Sequence, residues 1–351
     1  MDASPADQVA SQELADGTPV EDVFIPPSIH NDKVLSGDSY THLSPIPRTL
    51  IDDSTIECVL GVDEAGRGPV LGKYSFRCAE GQEFNTISGP MVYALYYLPL
   101  SMHRSLLADT HHFDDSKVLT PAVRSDLMSK ICSAETDLYQ HCGWATRSLS
   151  ARDISAAMLK ANGTYNLNAQ AMDATVELIQ QVLDLGVNIK EVYIDTIGQP
   201  AAYQKRLERI FPSLSITVAK KADSLYPCVS AASVCAKVTR DAALDVLYTT
   251  YASVEASGEV AWGSGYPSDA RCTGWLKNNM HPLFGWGNEC RFSWGTAKEM
   301  LEAKGAPCRA DWPEAEDPND NMKLTGFMLG PDEKEDDMAT WYGRRVPVDA
   351  F

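Results

Sequence analysis

The spacing of apolar and polar positions divides this chain into a patterned middle and two unpatterned ends. The segment Glu57 to Val70 opens with the apolar run Cys58-Val59-Leu60-Gly61-Val62. It continues into the adjacent acids Asp63 and Glu64, then into a loop with Gly66 and Gly68 around Arg67. A short unbroken apolar run of this kind reads as a buried strand, here ending at the two acids. Residues 90 to 98, PMVYALYYL, are apolar on both faces and predict a central strand. Trp144 to Leu149, Glu191 to Thr196 and Ser215 to Ala219 predict three more strands.

Helical spacing appears between them. Ser116 to Cys132 carries Pro121 in its first turn and Val123, Leu127 and Ile131 at intervals of four. Ser150 to Leu159 predicts a second helix. Asn168 to Leu185 predicts a third, with Met172, Val176, Ile179 and Leu183 on one face and Gly186 as a stop. Tyr203 to Ile210 is a fourth. Leu225 to Tyr251 is a long helix rich in Ala, Ser and Val, and such small residues predict close packing on a sheet. Strands and helices mixed in this way indicate an α/β layer with a five-stranded sheet flanked by helices.

The ends lack this periodicity. Residues 1–50 are rich in Asp, Ser and Pro and read as a disordered leader. Residues 51–250 form the sheet domain, and 251–308 a C-terminal helical extension. Residues 309–351 are acidic and Pro-rich and end in the aromatic and basic Trp341-Tyr342-Gly343-Arg344-Arg345, as in an interaction tail. No run approaches the ~18 apolar residues of a membrane span. No secretory signal is expected at the N-terminus. Nine cysteines lacking a CxxC pair read as reduced thiols, outside any disulfide frame or zinc site. The net charge of −18 argues against non-specific nucleic-acid binding by the surface as a whole. A local basic groove stays open to Arg206, Arg209, Lys220, Lys221 and Lys237, which lie close in sequence to acids that follow strands.

Two more acids share the setting of Asp63. Asp195 ends the strand Val192-Tyr193-Ile194, and Asp223 lies between a strand and the long helix. Carboxylates gathered at the ends of sheet strands cannot all ionise without cations between them. Two Mg²⁺ ions ~4 Å apart would satisfy them and would suit in-line displacement at phosphorus. The neighbouring glycines let backbone N–H groups approach an anion, and Arg67 adds a guanidinium fork. A strand followed by a solvated acidic turn is the plainer account of Asp63 and Glu64 alone.

Several strings in order carry a resemblance. VDEAGRGPVLG at 62–72, YNLN at 165–168, DTIG at 195–198, KADSLYPCVSAASVCAKVTRD at 221–241, GSGYP at 263–267 and RFSW at 291–294 together resemble type 2 ribonuclease H. The match is to its eukaryotic catalytic subunit, of fungal type, over roughly residues 56 to 305. The resemblance implies a ribonuclease H-like fold and hydrolysis of the RNA strand of RNA–DNA hybrids. It also implies incision 5′ of single ribonucleotides in duplex DNA, leaving 5′-phosphates, during replication and repair. It assigns catalysis and Mg²⁺ binding (Mn²⁺ as substitute) to Asp63, Glu64, Asp195 and Asp223. Gly66, Arg67 and Gly68 would sense the ribose 2′-hydroxyl, with Tyr266 on the same sugar. Asp115, Lys117, Asn166, Arg291 and Thr296 would contact the substrate backbone. Gly295 stands where the family often has a basic residue. His111 and His112 read as surface residues. Two non-catalytic subunits of a heterotrimer and a nuclear location are implied in the same way.

One departure stands out. Residues 73–89, KYSFRCAEGQEFNTISG, separate VLG from PMVYA, which the family joins directly. Gly-Lys-Tyr and Ile-Ser-Gly can be encoded as the two ends of a spliceosomal intron, GTAAGT and CAG. The segment reads as a retained intron, or else as a genuine surface insertion. Beside the substrate-sensing loop, it is expected to lower activity. Two other functions remain open: a catalytically impaired nucleic-acid-binding subunit, or a different two-metal phosphoryl-transfer enzyme. The Gly-Arg-Gly loop and Tyr266 speak against the latter.

Overall fold

The computed structural model describes residues 24–67, 89–113, 119–159, 165–196, 198–251, 270–288, 290–303 and 305–308. The elements with labels are α1 (Asn31–Ser36), β1 (Tyr40–Leu43), α2 (Arg48–Asp52), β2 (Cys58–Ala65), β3 (Met91–Pro99), α3 (Pro121–Cys132), α4 (Asp137–His141) and β4 (Gly143–Leu149). They continue with α5 (Ala151–Met158), α6 (Leu167–Asp184), β5 (Ile189–Asp195), α7 (Pro200–Ile210), β6 (Ser215–Ala219), α8 (Pro227–Tyr251), α9 (Ala270–Asn278) and α10 (Gly295–Glu302).

The sheet has the order β1-β4-β3-β2-β5-β6. It is antiparallel from β1 to β2 and parallel across β2, β5 and β6. All five expected strands are present. The sixth, β1, lies in what was expected to be a disordered leader, and that expectation is corrected for residues 24–50. Their order is tertiary. Tyr40 and Val34 bury against Ala243 and Leu247 of α8. The Ser28 hydroxyl meets that of Thr239 at 2.7 Å, and the Tyr40 hydroxyl donates to the Ser28 carbonyl at 2.9 Å.

Every residue of β3 is buried, as its two-faced apolar run requires. One sheet face packs on α6, where Ala171, Met172, Ala174, Leu178, Ile179 and Val182 meet Leu60, Val62 and Tyr93. The other packs on α8, where Ala231, Ala232, Ser233 and Ala236 are fully buried. There the small residues let helix and sheet approach closely. A Cβ on Gly61 of β2 would lie 2.3 Å from the Cys228 carbonyl carbon, so only glycine fits. In α3, Leu127 and Ile131 are buried, but Val123 is 43% exposed at the open first turn.

The C-terminal part is helical, as expected. Its small core joins Leu276, Trp286, Cys290, Ala297 and Leu301. The seven cysteines among the described residues are all free. No helix among the described residues is long and apolar enough to cross a membrane. The expected insertion at 73–88, the leader before residue 24 and the tail from 309 lie outside the described residues. Gly89, the last member of the insertion, is described. It has φ +85°, and a Cβ there would meet Leu244 at 2.3 Å. Removing 73–89 would put Gly72 in that place, so the glycine requirement is met either way.

Candidate active site

Strand pairing brings the acids together. β2 and β5 run parallel with Val62 opposite Ile194. The next residues, Asp63 within the last residues of β2 and Asp195 at the end of β5, therefore lie side by side on one face; β2 runs on through both acids to Ala65 rather than ending at them. In a strand, consecutive side chains alternate, so Asp63 faces α8 and Glu64 turns toward the α6 side. On the α8 side, the Ser233 hydroxyl donates to Asp63 and Lys237, one turn further along, adds positive charge. On the other side, Arg67 Nη1 lies 3.5 Å from Glu64 Oε1, with both side chains about nine-tenths buried. The remaining acid arrives on the turn after β6. Lys221 takes a left-handed conformation, φ 57° and ψ 40°, which is uncommon without glycine. That bend starts the 3₁₀ turn Ala222–Ser224 and aims the Ala222 N–H at Asp195 Oδ1, 2.9 Å away. Asp223 follows and is 4% exposed.

The electrostatics record this convergence. Burial, then the charges of Glu64 and Asp195, push the Asp63 carboxyl well above the usual range, against the Ser233 bond and Lys237. Burial raises Glu64 to about 7. Arg67 opposes that rise, and Asp195 and Asp223 add to it. Four carboxylates that feel one another in a dry setting need a cation to be ionised together. Hard oxygen donors of this kind fit Mg²⁺ or Mn²⁺. As the side chains stand, among the described residues no three acids, histidines or cysteines are drawn around a common point. Glu64 leans toward Arg67, and Asp195 is tied to the Ala222 amide.

The Gly-Arg-Gly loop begins at the end of β2. Gly66 has φ +81°, and a Cβ on it would meet Arg240 Nε at 2.6 Å and the Pro90 carbonyl oxygen at 2.7 Å. Arg67 Nη2 donates to Asn168 Oδ1 in a short bond across from the start of α6. Tyr93 and Tyr203 complete its surroundings. Asn166 caps α6, accepting from the amides of Asn168 at 3.0 Å and Ala169 at 3.1 Å. The residue is exposed. Thr296 is half-buried in the first turn of α10, just after the open Gly295.

Arg291 does not stand where a backbone contact needs it. It is fully buried, its Nε donates to the Gly89 carbonyl at 3.1 Å, and its guanidinium lies 5.0 Å from the Trp294 ring centre. The expected substrate contact is corrected to a structural tie between the C-terminal part and the segment entering β3. Gly68, Asp115, Lys117 and Tyr266 lie outside the described residues. His112 is exposed, as the surface reading expects, whereas His111 is part-buried and pairs with Asp137 at 2.8 Å. Ser233 and Asn168 were not singled out in the sequence. Their roles depend on α8 and α6 crossing β2 at fixed points. The only sequence signal was their place inside motif strings.

Comparison with known proteins reports on the family and the fold. A family model described as Ribonuclease HII matches residues 86–297. The match starts at residue 86, within the last residues of the insertion, so β2 with its two acids lies outside it. A protein described as a Ribonuclease H2 subunit in Neurospora crassa is 56% identical, covering 93% of this chain and 97% of that one, so much of this chain that the match includes β2. Its human namesake is 40% identical, covering 82% of this chain and 86% of the other. The fold matches the crystal structure of the ribonuclease H2 from Pyrococcus horikoshii OT3 with a TM-score of 0.52 and 24% identity, covering 69% of this chain and 96% of that chain.

Proposed function

Because the chain belongs to the ribonuclease HII family and is a ribonuclease H, we propose that it hydrolyses the RNA strand of RNA–DNA hybrids and incises 5′ of single ribonucleotides in duplex DNA. The observation that carries this reading is the meeting of Asp63 and Asp195 on adjacent parallel strands, with Asp223 on the next turn and Arg67 beside Glu64. Asp63, Glu64, Asp195 and Asp223 would hold two Mg²⁺ ions, or Mn²⁺, which when bound supply an activated water and stabilise charge on the departing oxygen.

The chain's own groups prepare this site. Ser233 and Lys237 hold the Asp63 carboxylate on the α8 side. The Ala222 amide orients Asp195. The tight turn at Gly66 brings loop backbone toward the sugar, and Arg67 reads its 2′-hydroxyl together with Gly68 and Tyr266. That hydroxyl is both donor and acceptor, and it distinguishes ribose from deoxyribose. Exposed Lys220 and Lys221 add positive charge beside Asp223. Asp115, Lys117, Asn166 and Thr296 are placed by the same reading along the substrate backbone.

Incubating the protein with Mg²⁺ and a duplex holding one ribonucleotide tests the proposal. Incision 5′ of the ribose, leaving a 5′-phosphate, supports it. Cutting of all-DNA duplex would point to another phosphoryl-transfer enzyme. The segment at 73–89 favours one second reading, a subunit that binds the duplex without cutting it. The relatives' designation as one subunit of a ribonuclease H2 supports further subunits; a non-catalytic role for those subunits and a nuclear role in replication and repair belong to the same proposal. Co-purification from nuclear extract tests both.

A further inference from the structure

Arg67 divides its guanidinium between two acceptors of opposite character. Nη1 faces the Glu64 carboxylate at 3.5 Å, and Nη2 donates to the neutral Asn168 carbonyl oxygen. A guanidinium and a carboxylate left to themselves pair through two parallel bonds. Here the second arm is held away. Its holder is itself fixed, because the Asn168 amide is bound by the N-cap oxygen of Asn166 at 3.0 Å. An amide oxygen can satisfy a guanidinium N–H without adding charge to a site that already holds four acids.

We propose that Asn168 is a positioning residue that keeps Arg67 from closing a two-armed pair on Glu64, and so leaves Glu64 able to take a cation. The inference rests on the functional reading above, in which Glu64 is a metal ligand. Without the Asn168 acceptor, Arg67 swings onto Glu64 and competes with the metal for the same oxygens. Arg67 then also loses the orientation with which it meets the ribose.

The test compares the full chain with Asn168→Ala and Asn168→Asp. Titration calorimetry with Mn²⁺ alone reads metal affinity, independent of turnover. Cleavage of a one-ribonucleotide duplex separates kcat from KM. Asn168→Ala is expected to bind Mn²⁺ at least fivefold more weakly and to lower kcat about tenfold, with little change in KM. Asn168→Asp keeps the acceptor oxygen but adds a charge, so it is expected to hold Arg67 off Glu64 and to retain more Mn²⁺ affinity than Asn168→Ala. Unfolding curves confirm that each variant is folded. A folded Asn168→Ala variant whose Mn²⁺ affinity matches the wild type overturns the inference. Failure of the wild type itself to cut the duplex would instead overturn the functional reading, and the calorimetric comparison would still decide the role of Asn168.

Discussion

Glu64→Gln should make the metal-free protein more stable while destroying its activity. Burial, reinforced by Asp195 and Asp223, raises the Glu64 carboxyl from an ordinary 4.5 to about 7 even with Arg67 alongside. A rise of that size corresponds to about 3 kcal/mol of differential stabilisation between the two protonation states. Below about pH 4.5 the folded and unfolded chains both keep the proton, so the charge costs nothing. Between 4.5 and 7 the folded chain binds more protons, and stability falls as pH rises. Above about pH 7 the folded state carries the whole cost. Glutamine imitates the protonated acid and removes it. In EDTA at pH 8 the variant should therefore gain about 3 kcal/mol, or roughly 6–12 °C in Tm for a domain of this size. The gain should fade as pH is lowered toward 4.5. Saturating Mg²⁺ should narrow or reverse the difference, because only the wild type gains full binding energy from the ion. Urea unfolding at pH 5 and pH 8, with EDTA or Mg²⁺, measures all of this. Equal stability of the two proteins at pH 8 in EDTA, or a gain independent of pH, would refute the reasoning.

Gly61→Ala puts a methyl group 2.3 Å from the Cys228 carbonyl carbon, so β2 and α8 must separate. A loss of about 1–3 kcal/mol or more is expected in urea unfolding, and a loss under half of that would show the contact to be soft. Ser233→Ala removes the hydroxyl that steadies Asp63. The fold should survive, and the Mg²⁺ concentration giving half-maximal cleavage should rise several-fold; an unchanged Mg²⁺ profile would sink the assignment. Arg291→Met breaks the tie to the Gly89 carbonyl and should lower stability while leaving the salt dependence of hybrid binding untouched. A salt slope reduced by about one would instead make Arg291 a phosphate contact. Deleting residues 73–89 should raise turnover on a single-ribonucleotide duplex, and equal turnover of the two forms would count against an inhibitory insertion. Sequencing the spliced transcript decides whether those codons belong to the mature message.

Local pattern alone predicts five of the six strands, the main helices between them, and the acids near the C-terminal ends of β2 and β5. These are legible because burial leaves a local trace. A strand covered on both faces, like Met91–Pro99, must be apolar throughout, and a helix close to a sheet, like α8, must be built from small residues. The family motifs named the four acids and the Gly-Arg-Gly loop for the same reason, since each string is contiguous. The remainder is carried by residues far apart in the chain. Tyr40 forms part of a sixth strand because α8 offers Ala243 and Leu247 to cover it, not because its own segment is periodic. Arg291, a plausible phosphate contact by motif, is sealed against Gly89 and Trp294. Asp63 and Glu64, adjacent in sequence, answer to opposite sides of the sheet, one to Ser233 of α8 and the other to Arg67 of the loop after β2. Arg67 in turn is held by Asn168, 101 residues away. Such pairings follow from the register of β2 against β5 and the crossing of α6 and α8 over the sheet. No local pattern records them, because they depend on where whole elements come to rest.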